Sequence, residues 1–79
     1  MVEVFKTTVK DAFVAKKLIG QIHQHFEGYH ANFDLEDCDR ILRIKNPNGA
    51  ICAHAIILLL ERNGYAAEVL EDDLTLFGK

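Results

Sequence analysis

Seventy-nine residues, 49% hydrophobic and 27% charged, describe one globular domain close to the lower size at which a single core holds a fold unaided. A net charge of −3, with acids and bases interspersed, excludes the basic patch of a nucleic-acid binder. Two cysteines, Cys38 and Cys52, are too few for a disulfide scaffold, and the longest apolar stretch, Ala50 to Leu60, is about half the roughly 20 residues of a membrane span. Met1 to Lys6 lacks the charged and apolar regions of a secretory signal, so a cytoplasmic protein with free thiols is expected.

In chain order, residues 2–7 alternate around Val2 and Val4 and predict a first strand. Thr8 is placed to cap the helix that follows, with Asp11 near the positive end of its dipole. Val14, Ala15, Leu18, Ile22 and Phe26 recur at helical steps and form its core stripe, and Gly28 ends it. Ala31, Phe33 and Leu35 alternate along a second strand, residues 30–35. An acidic turn over Glu36 to Asp39 leads into a third strand, residues 40–44. After the break at Asn46-Pro47-Asn48-Gly49, Asn48 is expected to cap a second helix that runs to Asn63 and is closed by Gly64. Tyr65 to Leu70 reads as a fourth strand. The domain is expected over residues 1–72, with a C-terminal tail over 73–79.

The order is β-α-β-β-α-β. Right-handed crossovers in each half give an α+β, ferredoxin-like sandwich, a four-stranded antiparallel sheet with two helices on one face. Among modules of this topology, an RNA-recognition motif would need aromatic residues on the central strands, and an acylphosphatase-like site would need a glycine-rich loop with an arginine after the first strand. Neither pattern is present. Gly28-Tyr29 with Asn32-Phe33-Asp34-Leu35, and Asn63-Gly64-Tyr65-Ala66-Ala67-Glu68-Val69, instead resemble the second strand and the last turn of the heavy-metal-associated domain of copper chaperones and metal-transporting ATPases. The likeness covers about residues 2–70. Aligned on Val14 and Leu18, Phe5 falls where that family has the methionine of Met-x-Cys-x-x-Cys, Thr7 at its first cysteine and Lys10 at its second.

The resemblance thus implies the family's shape without its metal ligands. Two thiolates suit a soft cation; a threonine hydroxyl and an ammonium group do not. No metal is expected at the usual loop, and no cofactor elsewhere. The topology brings Cys38, with Asp37 and Asp39, to the same end as Thr7, Lys10 and Tyr65, and sends Cys52 to the other. Cys38 with nearby carboxylates or a histidine, across a dimer if needed, is therefore the alternative metal reading; a solvated acidic turn is the plainer one. His23, His25, His30 and His54 have no ligand spacing and read as surface residues.

An enzyme is not expected. The chain has no serine, and Cys38 has acidic neighbours, the opposite of the electropositive surroundings a reactive thiolate needs. The apolar surplus points to binding. Phe13 lies opposite the core stripe of the first helix, and Phe5, Thr7, Thr8, Val9, Lys10, Phe13 and Tyr65 are expected to make a docking end in which the Lys10 charge replaces that of a metal. On the second helix, Ala53, Ile56, Ile57 and Leu60 supply a core face. Ile51, Ala55 and Leu58 form a second stripe, to be covered by the tail around Leu74 and Phe77, by self-association or by a protein partner.

Overall fold

A computed structural model describes residues 1–70 of the chain. The tail over 73–79, and any cover it gives the second helix, lie outside the described residues. The elements are β1 (Val2–Thr7), α1 (Ala12–His25), β2 (His30–Asp34), β3 (Ile41–Lys45), α2 (Ala53–Arg62) and β4 (Ala67–Val69). They form one antiparallel sheet of order β2-β3-β1-β4, with β1 and β3 at the centre. Helix α1 packs beside β2 and α2 beside β4. This is the ferredoxin-like α+β arrangement that the element order predicts.

Register decides which side chains meet the helices. Phe5 stands opposite Leu42 on one side and Val69 on the other, and Ala31 stands opposite Ile44. Directly opposed residues share a sheet face. Phe5, Leu42 and Ile44 are fully buried with Leu18, Ile22, Ile56 and Leu60 from the two helices, so both helices cover that face. Each such side chain contributes about 1.5–3 kcal/mol on leaving water. The other face carries Lys6, Asn32, Asp34, Arg43, Lys45 and Glu68, all exposed. Val2 and Val4, the apolar pair that marks β1 in the sequence, also stand on this open face.

Helix starts are set by different residues from those expected. Asp11, with extended backbone angles, accepts the Phe13 N–H at 2.7 Å and is the N-cap of α1. Thr8 is three residues too early, and its hydroxyl accepts the Ala66 N–H instead, at 3.0 Å. Cys52 occupies the N-cap of α2 without a side-chain bond. Its N–H donates to the Tyr29 hydroxyl at 2.8 Å, while Asn48 belongs to a turn closed by the Asn46 side chain. Gly28 and Gly64 both adopt φ of 88°, which a side chain disfavours, and so end their helices as expected. Arg40 lies before β3 rather than in it, at φ 49°, and its guanidinium donates to the Leu35 carbonyl at 2.6 Å.

Candidate functional site

The β1–α1 loop, the β2–β3 turn and the turn before β4 meet at one end of the sheet. Thr7 N–H donates to the Asp39 carbonyl at 3.1 Å, and Thr8 N–H donates to the Ala66 carbonyl at 3.1 Å. The juxtaposition expected for Thr7, Cys38 and Tyr65 is therefore present, held by backbone hydrogen bonds.

Within that end the loop is closed on itself. Thr7 is 6% exposed; its hydroxyl donates to the Arg40 carbonyl at 2.6 Å and accepts the Val9 N–H at 3.2 Å. Both roles of the hydroxyl are filled by neighbours. Thr8 bonds the turn before β4 from both its N–H and its hydroxyl. Lys10 is exposed and precedes the Asp11 cap, so it stands outside the first turn of α1.

Two members of the expected apolar end are corrected. Phe5 and Val9 are fully buried and belong to the core, so neither presents a surface. Phe5 is drawn inward by strand alternation, as the partner of Leu42. Val9 precedes the helix and drops into the core. Tyr65 is half-buried against the same core. Phe13 is as expected: 85% exposed, the most exposed of the large hydrophobic side chains among the described residues.

The second-helix stripe is corrected in part. Ile51 is 7% exposed and packs in the core, because it too precedes its helix. Ala55 and Leu58 do line a shallow groove, together with Leu59, Arg62, His25 and Phe26. It runs between the flank of α2 and the last turn of α1.

At the β2–β3 turn, one ligand atom each from Asp37, Cys38 and Asp39 lie within 4.8 Å of one another. Asp37 already accepts the Asp39 N–H at 2.9 Å, and Asp39 lies 3.9 Å from the Lys6 ammonium. Both cysteines are free and exposed, and Cys52 starts α2 at the far end. All four histidines are exposed. Two of them meet: the His23 and His30 rings lie 6.5 Å apart, edge to face. His23 also reaches β2, its Nε2 accepting the Ala31 N–H at 3.1 Å. No spacing rule marks that contact, since it depends on how α1 lies along the sheet.

No family model, curated protein or solved structure matches this chain. Its chemistry therefore has to be read from the site itself. Among the described residues no helix is long and apolar enough to cross a membrane.

Proposed function

We propose that this chain is a small non-enzymatic binding module of heavy-metal-associated-like fold, whose metal loop has become a structural loop and whose loop end docks a protein. The observation that carries this reading is a contrast between side chains on the two sides of one loop. Thr7, at the position of a ligand in the family it resembles, has its hydroxyl bonded on both sides, while Phe13 a few residues on is 85% exposed. A buried hydroxyl engaged as donor and acceptor has little to offer a soft cation. An exposed aromatic with a neighbouring ammonium is the composition of an interface anchor and its rim. Lys10 and Phe13 are the residues of that docking end, and Tyr65 supports it from β4's side. The setting is a cytoplasmic one in which Cys38 and Cys52 stay reduced.

The test is a comparison of baits. The wild-type domain should retain a partner that the Lys10→Ala, Phe13→Ala double variant loses. Retention of every partner by the double variant would reject the docking end.

One observation favours a second reading, metal handling at the β2–β3 turn. Asp37, Cys38 and Asp39 present a thiol and two carboxylates within 4.8 Å. Such a mixed set suits Zn(II) better than Cu(I) and leaves a place for a fourth ligand, which a second chain could fill. Zinc bound near one ion per two chains, and lost in Cys38→Ser, would favour it.

A further inference from the structure

Strand β2 is the outer strand on the α1 side, so one of its edges faces no other strand. Because the Ala31 N–H points to His23 and not to β3, the alternation of an antiparallel ladder directs the N–H and C=O groups of Ala31 and Phe33 to that edge. At the far end of the edge, the Leu35 carbonyl is taken by Arg40. Between these two closures, the Phe33 N–H and carbonyl and the Ala31 carbonyl have no partner among the described residues. An edge of this kind is a template for another strand unless something covers it. Here the covers are the His23 imidazole at one end and the Arg40 guanidinium at the other.

We propose that β2 pairs antiparallel with β2 of a second copy in mild acid, and that neutral His23 is the latch that prevents it. The occupant is argued from the strand's own sequence, His30-Ala31-Asn32-Phe33-Asp34. With Asn32 on the two-fold axis, Ala31 stands opposite the partner's Phe33 and exchanges two hydrogen bonds with it, and the symmetric pair adds two more. On the open face the same register sets His30 against the partner's Asp34, twice. Small meets large on one face, and base meets acid on the other.

Acid acts on both parts. The latch needs an unprotonated Nε2; an imidazolium has two donors and no acceptor, so its protonation frees the Ala31 N–H. An imidazolium at His30 would face a carboxylate across the axis. Imidazole changes charge in this mildly acidic range.

The charged groups around the latch can be named element by element. On β2 the ring meets His30, and a charge on both would push them apart. On β3, Lys45 stands opposite His30. His25 and Glu27 follow His23 in the chain, and Lys16, Asp34 and Glu36 line the groove between α1 and β2 further along. No carboxylate among the described residues lies within ion-pair distance of His23.

Sedimentation velocity near pH 7.5 and pH 5.5, with amide exchange read at Ala31, tests the proposal. Wild type should be monomeric at the higher pH and should self-associate at least about tenfold more tightly at the lower. His23→Ala should associate at the higher pH already, and Asp34→Lys, an exposed change checked for folding by circular dichroism, should stay monomeric at both. A wild-type protein monomeric at both pH values would overturn the dimer, as would association of Asp34→Lys equal to wild type. His23→Ala remaining monomeric near pH 7.5 while wild type dimerises in acid would overturn the latch.

Discussion

The β1–α1 loop and the β2–β3 turn meet at one end of the sheet, yet they use their polar groups in opposite ways. In the loop, Thr7 and Thr8 turn hydroxyls and N–H groups toward neighbouring backbone, and Val9 is buried beneath them. In the turn, Asp37 and Cys38 stand exposed, with one carboxylate oxygen of Asp37 closing the turn. A ligand site needs donors that the fold does not already use. By that standard the β1–α1 loop is closed, and the turn beside it is open. The difference separates shape from chemistry: two segments at one end of the same fold differ in whether their polar groups are left for a ligand.

Substitutions can break or sharpen this contrast. Thr7→Val keeps the shape but leaves the Arg40 carbonyl and the Val9 N–H without their partner, one of them deep in the core. It should cost about 2–3 kcal/mol in urea unfolding. A loss below the error of the measurement would mean that the loop is not held by its hydroxyl. Asp11→Ala removes the cap that ends the loop and should cost about 1 kcal/mol, read as a lowered midpoint. Thr8→Ala leaves the more exposed Ala66 N–H to water and should cost about 0.5–1 kcal/mol. At the open turn and on the exposed ring the expectation reverses: Cys38→Ser and Phe13→Ala should each change stability by no more than about 0.5 kcal/mol. A large loss in Phe13→Ala would assign the ring a packing role instead of a docking one.

The fold was legible because its signals are periodic. Alternation in Ala31, Phe33 and Leu35, the helical spacing of Ala15, Leu18 and Ile22, and glycines at both helix ends all point to one topology. The site was legible only in its outline. The stripe through Ile51 extends a helical phase back across residues that precede the cap Cys52, where the backbone is extended and the phase does not apply, and Val9, placed by its nearness to the loop, precedes the cap Asp11 and turns inward. Phe5 was assigned by alignment with a metal loop, although its alternation with Thr7 along β1 sends it inward. The contact between His23 and Ala31 had no local signal, because it joins a helix to a strand edge through the packing angle between them. Phe13 is readable since it follows the Asp11 cap and lies within α1, where the period holds.

The most direct test of a closed loop beside an open turn is a titration of the reduced protein with Zn(II) and with Cu(I), followed by amide NMR residue by residue. The account predicts no saturable shift at Thr7, Thr8, Val9 or Lys10 below roughly micromolar free metal, equivalent to about −8 kcal/mol; any tight binding should perturb Asp37 to Asp39 and disappear in Cys38→Ser. Saturable binding that shifts Thr7 to Lys10 and survives Cys38→Ser would contradict it, and would place a metal at the loop.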